Sequence, residues 1–209
     1  MAYVLGFFSA DGYITVNKRG GQFWCIEIAD KLLLEQIKKN IQADHVISVR
    51  RKKGNRKVTY RLQIGSIEMC NDLRRWGIHE LKTYNMITPH IPLQFLKDFT
   101  RGYFDGDGNV WLGYIHKERR TPILIIQIAF TSSSLLFLEG LKNLLQPTVV
   151  SGGSIYKPKN ENFYRLQFSN KDALKLYEFM YNHEARNGAK DLFLPRKKNV
   201  FKRYIKMRS

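Results

Sequence analysis

Residues 99–110 read FTRGYFDGDGNV, and residues 3–14 read YVLGFFSADGYI. Each segment carries two small residues four positions apart and then the dipeptide Asp-Gly. Residues four apart lie on the same face of an α-helix, so small side chains at this spacing let two helices approach closely. The two segments therefore predict a pair of packed helices with an interface at Gly6, Ala10, Gly102 and Gly106.

The aspartates of the two segments, Asp11 and Asp107, fall at the predicted C-termini of these helices. Gly12 and Gly108 follow them and are expected to end the helices in the left-handed conformation. A carboxylate is unfavourable there, because the helix dipole is already negative and the partner helix brings a second carboxylate. A single Asp-Gly is most simply interpreted as a turn. Its repetition on matching helices favours a site for a divalent cation at Asp11 and Asp107.

The rest of the chain repeats as well. The letters YRLQI at 60–64 recur as YRLQF at 164–168, and Ile28-Ala29 is matched with Ile128-Ala129. Period-two alternation, glycine-rich turns and apolar helix faces predict helix, two strands, helix, two strands and helix in each half. The predicted fold class is α+β, with two pseudo-symmetric αββαββα halves, each a four-stranded antiparallel sheet backed by helices, joined at the two packed helices.

The boundaries of the two halves follow from the repeat. We predict an N-terminal half over residues 1–86 and a linker, with the lead-in to the second helix, over 87–98. The C-terminal half is predicted over 99–209 and ends in a basic helix.

The charge of the chain points to a polyanionic partner. Lys and Arg number 35 against 18 acidic residues, which gives a net charge of +17. No apolar run approaches the ~20 residues of a membrane span, and no basic amphipathic helix indicates binding to a membrane surface. Nucleic acid is therefore the preferred partner. The two cysteines lack metal-ligand spacing, and no signal peptide is evident, so we expect an intracellular protein.

Alternation in the predicted strands separates an apolar face from a polar, basic one. Arg and Gln read guanine and adenine edges in the major groove, and Arg and Lys hold phosphates. Any one of these side chains could equally be solvated surface, but together they favour a DNA-binding face. The predicted contacts are Asn17, Glu27, Arg50, Arg51, Lys52, Arg61, Gln63, Trp111, Lys117, Gln127, Arg165 and Gln167.

Residues 4–12, VLGFFSADG, and 100–108, TRGYFDGDG, resemble the motif of the LAGLIDADG homing endonucleases. Two copies in one chain are similar to the single-chain, pseudo-dimeric branch of that family. The resemblance implies that the motif helices join the halves and that the two polar sheet faces form a saddle over double-stranded DNA. It also implies that the last acid of each motif, Asp11 and Asp107 here, binds the catalytic metal.

The resemblance further implies cleavage of both DNA strands at a long target site by a monomer, leaving short 3′ overhangs. The implied cofactor is Mg²⁺, with Mn²⁺ as a substitute and Ca²⁺ supporting binding without cleavage. A basic residue usually lies near each scissile phosphate in this family, and position in the repeat selects Lys82 and Lys190. Ser9 stands where the family motif often has an acid, so neither Ser9 nor its counterpart Asp105 is given a metal role. The expected location is the bacterial cytoplasm or an organelle matrix.

Two alternatives use the same predicted fold: a maturase that acts on intron RNA, and a DNA-binding regulator without cleavage activity. The retention of an aspartate in both motifs favours catalysis. A calcium-binding loop is a third interpretation, because residues 105–109 read DGDGN. It is rejected because Val110 stands where such a loop needs glycine and His116 where it needs glutamate.

Overall fold

The repeat in the sequence is present in the fold as two copies of one element order. A computed structural model describes residues 1–50, 58–80, 82–182 and 192–208. The chain divides into two compact units, one of Met1–Lys82 with Pro89–Gly106, the other of Thr83–Thr88 with Asp107–Ser209. The second motif helix is thus grouped with the first half of the chain as far as Gly106.

The first unit is built from α1 (Ala2–Asp11), β1 (Gly12–Val16), β2 (Gln22–Ile28), α2 (Lys31–Asn40), β3 (Ser48–Arg50), β4 (Thr59–Gly65), α3 (Ile67–Arg75) and most of α5 (Leu93–Asp107), which carries the second motif. Its strands form a four-stranded antiparallel sheet in the order β1-β2-β4-β3. The short helix α4 (Lys82–Asn85) lies between α3 and α5 in the chain.

The second unit repeats this arrangement with β5 (Gly108–Ile115), β6 (Ile123–Ser132), α6 (Leu135–Leu145), β7 (Ser154–Tyr156), β8 (Tyr164–Ser169) and α7 (Asn170–Tyr181). Its strands form a four-stranded antiparallel sheet in the order β5-β6-β8-β7. An additional helix, α8 (Pro195–Arg208), follows the repeated elements and packs against α7 and β5. The two sheets and their helices confirm the predicted fold class.

Each sheet buries one face, as the alternation in the sequence predicts. In β4 the side chains of Leu62 and Ile64 are buried, whereas Arg61 and Gln63 remain partly exposed. On the buried face of the first sheet, Trp24 stacks on Phe8 of α1 with ring centroids 5.1 Å apart. This packing attaches the motif helix to the buried face of the sheet.

Helices α2, α3 and α6 each begin with a side-chain cap. The Asp30 side chain accepts a hydrogen bond from the backbone N–H of Leu33 at the start of α2, and Ser66 caps α3 in the same way. Ser134 caps α6 and also donates to the carbonyl oxygen of Met86. These caps satisfy backbone donors that a helix terminus would otherwise leave unpaired.

The sheet register corrects one part of the repeat inferred from the sequence. Ile28 lies opposite Tyr60, whereas the counterpart Tyr164 lies opposite Ser132. Ile28 therefore corresponds to Ser132, and the letter match to Ile128 was wrong. The cause is a longer first hairpin in the second unit, where Gly108 pairs with Phe130, while Gly12 pairs with Ile26.

Among the described residues, none of the helices has the length and apolar character that crossing a membrane would need.

Candidate functional site

The two motif helices pack at a backbone-to-backbone distance that only glycine permits. A methyl group built on Gly6 would lie 2.0 Å from the carbonyl oxygen of Phe99, and one built on Gly102 would lie 2.0 Å from that of Tyr3. Farther along, a methyl group on Gly106 would lie 2.4 Å from Cβ of Ala10. The four small residues of the sequence repeat thus lie in the contact between α1 and α5.

Asp11 ends α1 beside this contact, and its side chain is exposed. Its Oδ2 atom lies 3.3 Å from the position a methyl group would take on Gly106, the residue before Asp107. Asp107 is the last residue of α5 and is half-buried.

Gly12 does not end α1 in the left-handed conformation that the sequence suggested. Its φ and ψ are −83° and 159°, which is extended backbone, and the chain enters β1 directly. Gly108 is likewise the first residue of β5. Glycine is needed at position 12 for space, because a methyl group there would lie 2.1 Å from the Phe8 ring. The prediction of left-handed stops was wrong because the helices continue into strands without a turn.

The donor chemistry of the two aspartates fits a hard divalent cation. Among the described residues there is no group of three or more His, Cys, Asp or Glu side chains that could enclose a metal ion. Mg²⁺ does not need such an enclosure, because it is usually held by one or two carboxylates together with water and substrate phosphates. Asp11 is exposed and Asp107 is half-buried, so each offers carboxylate oxygens of the kind that Mg²⁺ prefers.

The other acid of the second motif is engaged in packing. Asp105 is buried, and its Oδ2 accepts a 2.8 Å hydrogen bond from the Tyr3 hydroxyl. The guanidinium of buried Arg101 lies over the same Tyr3 ring, 5.5 Å from its centroid, and pairs with Asp98. At the matching position of the first motif, Ser9 is buried and donates to the Leu5 carbonyl oxygen. Asp105 thus takes part in the contact between the motif helices.

A lysine with no predicted role contacts the residue that follows the second aspartate. Lys197 of α8 is 5% exposed, and its ammonium group donates a 2.6 Å hydrogen bond to the carbonyl oxygen of Gly108. The spacing of Lys197 with buried Phe201 and Tyr204 on one helix face was the available signal. Lys197 thus holds the backbone immediately after Asp107.

We expect Lys197→Met to lower the free energy of unfolding by about 1–3 kcal/mol, since a buried hydrogen-bond acceptor loses its charged donor. Chemical denaturation followed by circular dichroism measures the change. Lys202→Met, on the exposed side of the same helix, is the matched control and should stay within about 0.5 kcal/mol of the parent protein. Equal effects of the two substitutions would show that the contact to Gly108 contributes nothing.

The polar face of the first sheet is organised around Arg61. Its Nη2 donates to the Tyr13 hydroxyl over 2.5 Å, and its Nη1 donates to Oε1 of Gln63 over 3.3 Å. Its Nε lies 3.4 Å from Oε2 of Glu27, whose other carboxylate oxygen accepts a 2.7 Å hydrogen bond from Thr59. Three residues that the sequence assigned separately to DNA contact, Glu27, Arg61 and Gln63, thus form one network.

Cys25 lies under this network, opposite Tyr13 in β1 and Gln63 in β4. It is fully buried, and burial raises the pKa of its thiol to about 11. The thiol is therefore protonated at neutral pH and lacks the thiolate that a nucleophile or metal ligand requires.

The polar face of the second sheet has a different organisation. Trp111 is 43% exposed and lies across Gly113, where a methyl group would be 2.5 Å from the indole ring. Arg165 lies against the ring of Phe163, 5.2 Å from its centroid, and Gln167 accepts a 2.8 Å hydrogen bond from Tyr156. Gln127 lies opposite Trp111 on the same face. This face offers an exposed aromatic surface where the first offers a charged network.

The remaining predicted contacts lie at the ends of strands. Asn17 closes the turn between β1 and β2, where its Oδ1 accepts hydrogen bonds from the backbone N–H groups of Arg19 and Gly21. Arg50 is exposed at the end of β3, and Lys117 is exposed just after β5. Lys82 is the first residue of α4. Three predicted residues lie outside the described parts of the chain: Arg51, Lys52 and Lys190.

Solved structures share this fold. The LAGLIDADG meganuclease I-AabMI bound to uncleaved DNA is 17% identical, with 98% of this chain and 88% of that chain covered and a TM-score of 0.64. I-SmaMI bound to an uncleaved DNA target with calcium ions is 14% identical, with 99% and 89% covered and a TM-score of 0.62. I-DmoI in complex with DNA and Mn is 15% identical, with 88% and 97% covered and a TM-score of 0.58.

A search of curated protein sequences finds no match. The family model described as "LAGLIDADG-like domain" matches residues 1–77 and 94–180, which are the two repeats and most of the chain. Two motif helices in contact through their glycines, each ending in an aspartate and leading into a four-stranded antiparallel sheet, agree with that match. The chain belongs to the LAGLIDADG-like domain family.

Proposed function

We propose that this protein is a site-specific DNA endonuclease that uses a divalent cation, preferably Mg²⁺, to cleave both strands of a long target site. The observation that carries the proposal is the position of Asp11, whose carboxylate lies against Gly106 of the second motif helix. The backbone contact between α1 and α5 holds the end of one motif beside the other. A purely structural role would not require an aspartate at the end of both helices.

In this proposal Asp11 and Asp107 hold the cation, which when bound activates a water molecule and stabilises charge on the leaving oxygen. The structures of I-SmaMI with calcium ions and of I-DmoI with Mn support a divalent cation in related proteins. Lys197 positions the backbone after Asp107 through its bond to Gly108. We propose that the cut leaves short 3′ overhangs and that the protein acts as a monomer.

The polar faces of the two sheets would bind the DNA. They carry arginine and glutamine side chains on strands that are paired in antiparallel sheets. The chain also has a net charge of +17, which favours a polyanionic ligand. Rigid strands allow base contacts at fixed spacing, whereas exposed Arg50 and Lys117 suit phosphates. The proposed ligand is therefore duplex DNA, in keeping with the DNA complexes of I-AabMI and I-SmaMI.

We expect binding to weaken steeply with salt, because each neutralised phosphate releases counterions. A plot of log K against log[salt] should have a slope of about −0.9 for each phosphate contacted. Fluorescence anisotropy with a labelled duplex in Ca²⁺ buffer measures it. Replacement of both Arg50 and Lys117 by alanine should make the slope shallower, and a salt-independent affinity would contradict the proposed DNA faces.

The experiment that tests the activity is a cleavage selection on a randomised DNA library with Mg²⁺, with Ca²⁺ as the control for binding without cleavage. Recovery of one long cleaved sequence only in Mg²⁺ supports the proposal. Sequence-specific binding without a cut in either cation would identify a DNA-binding regulator instead. Preference for intron RNA over duplex DNA would identify a maturase.

A further inference from the structure

Gln63 lies on the polar face of the first sheet, next to Arg61. Nη1 of Arg61 donates to Oε1 of Gln63 over 3.3 Å. The remaining edges of the same guanidinium lie against Tyr13 and Glu27. The Tyr13 ring lies beneath the guanidinium, with its centroid 5.7 Å from Cζ.

The chemistry of the pair determines how the amide of Gln63 is oriented. Amide oxygen and nitrogen atoms have nearly the same shape, so the hydrogen-bond network must decide between them. A guanidinium group only donates hydrogen bonds. The atom of Gln63 that faces Arg61 must therefore be the oxygen, and the NH₂ group lies on the other side of the amide carbon.

Arg61 cannot easily turn away to release this constraint. Its Nε lies 3.4 Å from the Glu27 carboxylate, and Thr59 holds that carboxylate with a 2.7 Å hydrogen bond. The Arg61 and Glu27 side chains are only 22% and 18% exposed, so water competes weakly for their charges. Nε itself forms no hydrogen bond within the described part of the chain, so Arg61 is held by the bond from Nη2 to Tyr13 and by the charge of Glu27. Its Nη1 is then the group that orients Gln63.

From this geometry we infer that Gln63 reads DNA as a hydrogen-bond donor and selects guanine. Guanine presents two acceptors, N7 and O6, in the major groove, whereas adenine presents one acceptor and one donor. A glutamine reads adenine by using its oxygen and nitrogen together. Although Oε1 of Gln63 keeps a second lone pair, the Arg61 guanidinium beside it is a positively charged donor and disfavours the N6 amino group of adenine, which is also a donor. This inference rests on the proposed function, because it requires DNA on the polar face of the first sheet.

The counterpart in the second sheet is not constrained in this way. Oε1 of Gln167 accepts from the hydroxyl of Tyr156, but a hydroxyl group can either donate or accept, so the amide can reverse. Arg165 lies against the Phe163 ring. Gln167 therefore keeps both hydrogen-bonding modes and serves as the matched control.

Substitution of Gln63 by glutamate reverses the chemistry with almost no change in shape. A carboxylate keeps the bond to Arg61, now strengthened by charge, and presents an acceptor to the DNA. We expect the preferred base at one position to change from guanine to cytosine, whose N4 amino group is the donor that a carboxylate reads. The discrimination at that base pair should be about fivefold to 150-fold. Binding selection on a randomised duplex library in Ca²⁺ buffer, followed by sequencing, measures it.

Three further variants keep the test decisive. Gln63→Ala should remove the preference at that base pair and leave the other positions unchanged. Arg61→Met combined with Glu27→Gln removes the donor that fixes the amide, so adenine should gain at the same position. Gln167→Glu should alter a different base pair.

Enrichment of adenine by the parent protein at the position that Gln63→Ala affects would overturn the inference. A profile unchanged by Gln63→Glu would also overturn it. If the parent protein enriches a sequence but these results appear, only the role of Gln63 is wrong. If the parent protein enriches no DNA sequence at all, the proposed function fails with it.

Discussion

Asp11→Asn and Asp107→Asn proteins are expected to bind target DNA with parental affinity and to yield no linear double-strand product in Mg²⁺. Asparagine preserves the size of each side chain, so the packing of α1 and α5 should remain. It removes the negative charge that holds a hard cation. Loss of the several kcal/mol that a bound metal ion provides to the transition state corresponds to at least about a thousandfold slower cleavage.

The measurement uses supercoiled plasmid carrying the selected target, with nicked and linear products separated on a gel. Anisotropy in Ca²⁺ buffer reports binding separately from cleavage. Asp72→Asn is the matched control, because Asp72 is an exposed helical aspartate paired with Arg75 on α3. It should cleave at the parental rate. Mg²⁺-dependent linear product from either motif variant, at a rate near that of the control, would refute the assignment of the metal to these aspartates.

Asp105→Asn tests whether every aspartate of the second motif is needed for cleavage or only the one proposed to bind the metal. Its carboxylate is buried against Tyr3, so its replacement disturbs the packing of the motif helices. We expect a lower melting temperature with Mg²⁺ dependence unchanged. The thermal shift is measured in parallel with plasmid cleavage at a temperature where the variant is folded, and loss of cleavage there would give Asp105 a role in catalysis.

The parts of the fold that were predictable depend on spacing along the chain. The spacing of Gly6 and Ala10 predicts a helix face, and the alternation around Leu62 predicts a buried sheet face. Both patterns can be recognised from residues that are close together in the sequence. Pairing between strands is not local. Identical letters at Ile28 and Ile128 suggested equivalence, but a longer hairpin shifts the register, and only the opposing residues Tyr60 and Tyr164 reveal it.

The candidate site shows the same division between local and distant information. The motif identifies Asp11 and Asp107 because each ends its own helix. Lys197 is remote in sequence from Gly108 and reaches it through the packing of α8, which no local pattern encodes. Arg61 was predicted as a base reader from its strand face alone. Arg61 pairs with Glu27 because Glu27 lies opposite it in β2, and this strand pairing could not be predicted from β4 alone. The ion pair holds the Arg61 side chain and changes the role expected for Arg61.

Gly102→Val should have the largest effect on stability. Any Cβ at this position would lie 2.0 Å from the Tyr3 carbonyl oxygen and 2.8 Å from the Phe7 backbone nitrogen. Both obstacles are backbone atoms of α1, so rotation of a side chain cannot relieve the clash, and the helices must separate. Separation would expose fully buried rings such as Phe99 and Tyr103. We expect a loss of more than about 4 kcal/mol, or failure to fold, because overpacking and lost burial add.

Gly6→Val should behave in the same way, because its Cβ would lie 2.0 Å from the Phe99 carbonyl oxygen. The matched control is Gly65→Ala at the end of β4, whose Cβ would meet the Phe23 ring at 3.4 Å, an ordinary contact. Urea denaturation followed by circular dichroism should place this control within about 0.5 kcal/mol of the parent protein. If Gly102→Val unfolds at the same urea concentration as the control, α1 and α5 are not in backbone contact. The position of Asp11 beside Gly106 would then lose its support, and with it the proposed metal site.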